Sequence, residues 1–329
     1  MFNQIKGHSI QIKNLIADVN LGKLSSGYLF GGPSGIGKKL VALNFAKFIS
    51  CENISGERQD SCGGCPTCKK IDNGQHPDIF LVTADSAKEI DTMVSSKKEA
   101  SSAIKIEQIK EIGKRSSFRP YEAKYKIFII DEAEKMTQEA SDALLKTLEE
   151  PPKDTIFILV SASERMLAAT IVSRCRRIKF NALSLEEMKE MLIADYRLDE
   201  TKAHFLSCFS QGRLANVLKI KDKDILTEKN SLIDDFLRKK IFFKDRFDAQ
   251  YKLNLFLGWL RDLLLSRLMK RPTLINIDRE AELLKNKNKY TISELKSYIN
   301  FISEALLYLE RNINLRLLTN LARIKLCKA

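Results

Sequence analysis

The chain has 329 residues, enough for two or three domains, and its 44% hydrophobic content supports packed cores and excludes a disordered chain. The net charge of +13 favours an anionic partner, with nucleic acid first, or else a lysine-rich surface with no such partner. At 8% aromatic residues, a base-stacking surface has little support. The opening MFNQIKGHSIQIKNLIADV lacks the apolar region of a secretory signal, and no apolar run approaches the ~20 residues that span a bilayer. A cytosolic protein is expected, with seven reduced cysteines whose spacing poses a metal question rather than a disulfide question.

In chain order, apolar periodicity predicts a helix near Ile10–Val19, and SGYLFGGP reads as a short strand running into a glycine loop. Lys38–Ser50 reads as the next helix, with Leu40, Leu43, Ala46 and Phe48 facing inward. A Gly/Cys-rich insert fills Cys51–Asp78, and a strand is expected at Ile79–Thr83. The polar stretch Asp85–Ala103 is expected to be a mobile loop, and Ile104–Lys114 a helix. Ile127–Ile130 forms a buried strand that ends in acids. Thr137–Glu149 is an amphipathic helix carrying Ala140, Leu144, Leu145 and Leu148, stopped by Pro151-Pro152. Thr155–Ser163 is another apolar strand and Arg176–Phe180 a last short one. Strands that are apolar throughout, alternating with helices, predict an α/β fold whose parallel sheet is covered on both faces. After Asn181 only helices are expected, the first opened by a capping box from Ser184 to Glu187.

Four groups of residues carry chemistry. The first is GPSGIGKK: Gly32, Pro33, Ser34, Gly35, Ile36, Gly37, Lys38 and Lys39. Its glycines let backbone N–H groups close on a phosphate at a helix N-terminus, and Lys38 reaches toward the β and γ phosphates. Where Ser or Thr would ligate Mg²⁺, the chain has Lys39, an ammonium that cannot ligate a cation. ATP binding is therefore compatible with the loop, but Mg²⁺-assisted hydrolysis is expected to be impaired. The second is IFIIDEAE, where Asp131 takes the place of the metal-holding acid and Glu132 that of the residue orienting water. An ordinary strand-end acid pair is the plain alternative. The third is Cys51-x10-Cys62-x2-Cys65-x2-Cys68, four thiolates suited to tetrahedral Zn²⁺, with an iron–sulfur cluster or plain thiols as alternatives. Cys175, Cys208 and Cys327 stand alone and read as structural. The fourth is IVSRC, whose Arg174, placed before the last strand, is either an arginine finger acting across an interface or a surface arginine. His8, His76 and His204 form no pattern with one another, and Trp259 reads as core.

Taken together, GPSGIGKK, the cysteine insert, IFIIDEAEKMTQEASDALLKTLEEPP, TIFILVSAS and TIVSRC resemble the clamp-loader AAA+ ATPases of bacterial DNA polymerase III, from near residue 1 to about 220. Short length, GQHPDIF after the cysteines, and Lys39 are similar to the delta-prime type rather than to the ATP-hydrolysing gamma/tau motors. The resemblance implies that Gly32–Lys39 is the nucleotide loop, Asp131 and Glu132 the metal acid and base, and Ser161 a polar sensor. It further implies that Arg174 is a finger serving a neighbour's ATP and that Cys51, Cys62, Cys65 and Cys68 hold zinc. A second sensor arginine is expected in a Gly-x-x-Arg pattern, but after Gly212 that position is Ala215, with Arg213 out of register.

The implied architecture is an AAA+ P-loop domain over 1–182, a helical lid over 183–222 and an all-α collar over 223–329. LNLFLGWLRDLLLSRLM and ISELKSYINFISEALLYLE have the apolar spacing such a collar needs. The implied partners are motor subunits and a delta subunit, with a sliding clamp and primed DNA reached through the complex in the bacterial cytoplasm. The expected function is a stator that hydrolyses little or no ATP. The alternatives are a gamma/tau-type motor or other AAA+ ATPase, and a direct DNA-binding module suggested by the charge.

Overall fold

The computed structural model describes residues 1–53, 59–84, 103–218, 220–221, 224–238, 240–270, 272–310 and 313–326. The loop expected over Asp85–Ala103 lies, but for Ala103, outside the described residues, as does Cys327. The chain divides into two compact units: Met1–Leu183 with Arg213–Ala215, and Ser184–Gly212 with Asn216–Ala329.

The first unit runs α1 (Ser9–Asn20), β1 (Gly27–Gly31), α2 (Lys38–Ser50), α3 (Pro66–Asp72), β2 (Ile79–Val82), α4 (Ile106–Ser116), β3 (Lys126–Ile130), α5 (Gln138–Glu149), β4 (Thr155–Ser161), α6 (Ala169–Arg174) and β5 (Arg176–Lys179). Its sheet has the order β2-β3-β4-β1-β5, and every pairing is parallel. This is the α/β fold with a parallel sheet covered on both faces that the sequence predicts. All residues of β1, β3 and β4 are buried, which explains their unbroken apolar runs: each strand meets helices on both faces. The two-residue period of a strand sorts those side chains between two cores. Tyr28, Phe30, Ile127, Ile129, Ile156 and Ile158 pack with α1 and α2 on one face. Leu29, Phe128, Ile130, Phe157 and Leu159 pack with α4, α5 and α6 on the other.

The strand order places the functional loops. The chain leaves β1 toward β2 at one edge, and later crosses from β4 over β1 to reach β5. The segments after β1, β3 and β4 thus emerge side by side at the carboxyl ends of the strands, where ligands of open α/β sheets bind. One expectation about packing is overturned. Leu40 is 51% exposed rather than inward, and α2 instead buries Val41, Ala42, Phe45, Ala46, Phe48 and Ile49. The expected strands also end sooner, at Val82, Ser161 and Lys179.

The second unit contains α7 (Leu185–Tyr196), α8 (Glu200–Ser210), most of α9 (Leu214–Leu218), α10 (Ile225–Leu237), α11 (Arg246–Leu268), α12 (Glu280–Asn286), α13 (Ile292–Glu310) and α14 (Leu315–Leu326). The capping box forms as read: Ser184 Oγ accepts the Glu187 N–H, and the Glu187 carboxylate accepts the Ser184 N–H. Trp259 on α11 is fully buried, with the Arg279 guanidinium 5.7 Å from its ring centre. No described helix is long and apolar enough to cross a membrane.

Candidate functional site

The phosphate-loop sequence forms a turn between β1 and α2 that glycine makes possible. Gly32, Gly35 and Gly37 all adopt positive φ, at 150°, 76° and 98°. At Gly32 the restriction is also steric, since a Cβ there would stand 2.2 Å from the Phe180 carbonyl oxygen. Gly37 is the N-cap of α2, so the loop ends on the positive end of a 13-residue helix. Lys38, the first helical residue, is buried, and its Nζ donates to the carbonyls of Gly32 (2.5 Å) and Pro33 (2.6 Å). Burial pulls its pKa down, opposed by the nearby carboxylates of Glu134 and Asp131.

The acids after β3 face this loop from the side. The Asp131 N–H donates to Val82 O at 2.9 Å, fixing the strand end. Its Oδ1 accepts the Glu132 N–H at 3.0 Å, and its Oδ2 lies 3.6 Å from Lys39 Nζ. Burial raises the Asp131 pKa, and the Lys39 ammonium works against that rise. Glu132 sits in the left-handed region at φ 54° and is paired with Lys135 at 2.8 Å. Ser161 is fully buried; its Oγ accepts the Ser163 N–H (3.1 Å) and its carbonyl accepts the Gly32 N–H (3.2 Å). The end of β4 is thereby tied to the loop.

Mg²⁺ does not fit this arrangement. A hard cation needs oxygen ligands and near-ideal octahedral space. Here the residue after Lys38 brings an ammonium, not a hydroxyl, to the carboxylate that would hold the ion. Beside the loop on its other flank, the Ala215 N–H donates to Gly35 O at 3.0 Å. A Cβ on Gly35 would come 3.3 Å from the Ala215 methyl and 3.8 Å from Arg213 Cβ. The segment expected to carry a second sensor thus reaches the loop, and what it presents at position 215 is a methyl group.

Three residues near the loop escape a reading of the sequence. His8 is buried, with its Nε2 2.9 Å from the Ile36 carbonyl and its ring edge-on to Phe180. A carbonyl only accepts, so Nε2 carries the proton. Glu134 has a buried Oε2 without a hydrogen-bond partner among the described residues. Glu164 packs its carboxyl over Gly31, where a Cβ would lie 1.9 Å from Oε1. Glu134 is legible only as the third acid of DEAE; His8 and Glu164 leave no local signal.

Arg174 is not brought to the loop. It ends α6, its Nη2 2.7 Å from Glu149 Oε1 and its Nη1 donating to Thr170 O at 3.0 Å. Its carbonyl lies beside Gly27, the first residue of β1, whereas the loop follows Gly31, the last. Four strand steps of ~3.3 Å put about 13 Å of sheet between the two levels.

The four cysteines do converge. The Sγ atoms of Cys51, Cys62, Cys65 and Cys68 all lie within 4.8 Å of one another, and those of Cys62 and Cys68 are 4.0 Å apart. A tetrahedron with metal–sulfur arms of ~2.3 Å has edges of about 3.8 Å, so the four sulfurs fit one metal ion. N–H groups of Cys62, Cys65 and Cys68 point at the sulfurs of Cys51, Cys62 and Cys65 at 3.3–3.4 Å. The N–H groups of Cys65 and Gly64 draw the Cys62 thiol down to about 6, while burial pushes the Cys51 and Cys68 thiols up. Cys175 is buried in the second core, as a structural cysteine would be.

The parallel sheet, the glycine loop on a helix N-terminus and the strand-end acids define a P-loop protein. A model of the family described as DNA polymerase III, delta subunit, matches residues 7–184. The chain belongs to that family. DNA polymerase III subunit delta' of Bacillus subtilis (strain 168) is 28% identical over 319 residues, covering 93% of this chain and 92% of the relative. Subunit tau of the same organism is 31% identical over 229 residues, covering 68% of this chain and 38% of the relative. Subunit tau of Escherichia coli (strain K12) is 30% identical over 231 residues, covering 68% of this chain and 33% of the relative. The chain thus spans only 33–38% of the length of these tau relatives.

Proposed function

We propose that this chain is a delta-prime-type subunit of a bacterial clamp loader. It acts as a stator that turns over little or no ATP and presents Arg174 to ATP held by a neighbouring motor subunit. The assembled complex would then open a ring-shaped sliding clamp and place it on primed DNA. The observation that carries this reading is the Lys39–Asp131 pair at 3.6 Å, which puts an ammonium where hydrolysis needs a metal. Two others support it. Ala215 offers no cation to the loop. The match to delta' runs nearly end to end, while the match to tau stops at 68% of this chain.

Arg174 suits a role in trans. Its side chain is 36% exposed, and its ion pair with Glu149 is of the exposed kind that contributes about 0–1 kcal/mol, so a stronger anion can draw it away. In the same reading, zinc occupies the four cysteines as a closed structural site. Residues 1–182 form the nucleotide-binding-type domain, 183–222 a lid, and 223–329 a collar that joins the motor subunits and a delta subunit in the bacterial cytoplasm.

The test is ATP turnover by the pure full chain with Mg²⁺, beside Lys38→Ala. We expect no turnover above the Lys38→Ala background. Mg²⁺-dependent turnover lost in Lys38→Ala would instead make the chain a motor, the reading that its 31% identity to tau favours.

A further inference from the structure

The mismatch with Mg²⁺ raises the question of what the loop does accept. Its anion-binding parts are in place: glycines in the required backbone conformations, the N-terminus of α2, and Lys38 at the foot of the turn. The metal side is altered by Lys39, and on the flank of Gly35 Ala215 adds no cation. The Lys39 ammonium stands on the metal flank of the loop, 41% exposed. Its 3.6 Å approach to Asp131 Oδ2 is longer than a formed hydrogen bond, so the side chain is attracted to the acid without being fixed there. The neighbouring acid, Glu132, is neutralised by Lys135. A polyphosphate entering this loop meets two ammonium groups, and one of them sits where a divalent ion would otherwise cancel phosphate charge. Bringing the ion as well would place it against that ammonium, and cation–cation repulsion at such a distance is unfavourable even in a solvated site.

We propose that this loop binds a nucleoside polyphosphate free of divalent cation, with Lys39 supplying the positive charge that the metal supplies elsewhere. The proposal rests on the reading of Gly32–Lys39 as a nucleotide loop and adds the ionic form of the ligand. Lys39 would turn from Asp131 to the phosphate chain, and Lys38 would exchange the Gly32 and Pro33 carbonyls for phosphate oxygens. Both are changes of partner by side chains, and no bond is made or broken. Such a site holds nucleotide as a fixed structural ligand, because the ion needed to polarise the γ-phosphate is kept out.

Calorimetric titration of the full chain with ATP and with ADP, in EDTA and in millimolar Mg²⁺, tests this directly. We expect binding in EDTA that is unchanged, or weakened by up to about tenfold, when Mg²⁺ is present, the effect of roughly one screened charge pair. Lys39→Thr should reverse the dependence: it weakens binding in EDTA by about tenfold and regains affinity with Mg²⁺. Lys39 is half exposed, so the variant keeps the fold, and an unchanged unfolding midpoint verifies that. Wild-type binding that tightens tenfold or more with Mg²⁺ overturns the proposal and leaves the nucleotide loop standing. A Lys39→Thr protein still indifferent to Mg²⁺ overturns it as well, since Lys39 would not be the cause. No binding of either nucleotide in either condition overturns the nucleotide-loop reading itself, and the proposal with it.

Discussion

Gly32 and Gly37 both have positive φ, yet they bear different loads. A methyl on Gly32 would stand 2.2 Å from a backbone oxygen, that of Phe180, which cannot rotate away; around Gly37 nothing lies within 4 Å. Gly37→Ala should therefore cost only the left-handed backbone strain, about 1–2 kcal/mol. Gly32→Ala adds a backbone displacement and should cost about 3 kcal/mol or more. Urea unfolding of the two variants checks the ranking, and equal losses would mean that Phe180 is not the constraint. The need for glycine at these positions is legible in the sequence, because the spacing GxxxxGK is a statement about the local chain. The reason at Gly32 is not legible, because Phe180 arrives through the pairing of β5 with β1. The same holds for His8 on Ile36 and Glu164 over Gly31: each is a contact between distant segments that no local pattern announces.

At the scale of elements, the strands are the easiest to read, since burial on both faces leaves a short apolar run bounded by turn residues. The inward face of α2 is harder for the same physical reason. KKLVALNFAKFIS is apolar nearly all round, so periodicity alone cannot choose between the row containing Leu40 and the row Val41, Phe45, Phe48 that the sheet selects. The cysteines are legible as ligands; what they hold in place is not. Asp60, two residues before Cys62, accepts the N–H groups of Phe2 (2.9 Å) and Asn3 (3.0 Å), and Phe2 packs on Phe48 with ring centres 5.7 Å apart. The cysteine knuckle thus anchors the start of the chain, and six residues after Phe2 comes His8 on the phosphate loop. In the proposed zinc-bound form, removing the metal with a chelator should raise amide exchange in residues 1–8 together with residues 59–72, by about tenfold or more, as a local opening costing over ~1 kcal/mol less. Exchange that rises in 59–72 alone would mean that the N-terminal segment is held independently of the knuckle.

For the molecule as a whole, the decisive feature is the separation of the phosphate loop and Arg174 at the two ends of β1. The loop follows the carboxyl end of β1, with Lys39 and Ala215 beside it. Arg174 lies level with the amino end of β1, partly exposed and tied only to Glu149 and to a carbonyl of its own helix among the described residues. The backbone of Arg174 is thus four strand steps of ~3.3 Å from the level of the loop. In the proposed reading its guanidinium serves an adjoining subunit, where an arginine finger given in trans is worth about 10³–10⁵ in rate. From the sequence, Arg174 has two readings, finger or surface residue. Its place at the far end of the strand, which only the sheet topology reveals, separates it from the chain's own loop and is compatible with both.

The most direct measurement is the DNA-stimulated ATP turnover of the reconstituted clamp-loader complex, with this subunit either wild type or Arg174→Ala. Assembly is checked in parallel by sizing. A stator that donates Arg174 predicts intact assembly and a turnover reduced by about a thousandfold at the site it serves. Normal turnover in a fully assembled Arg174→Ala complex would contradict the account and leave Arg174 as a surface residue.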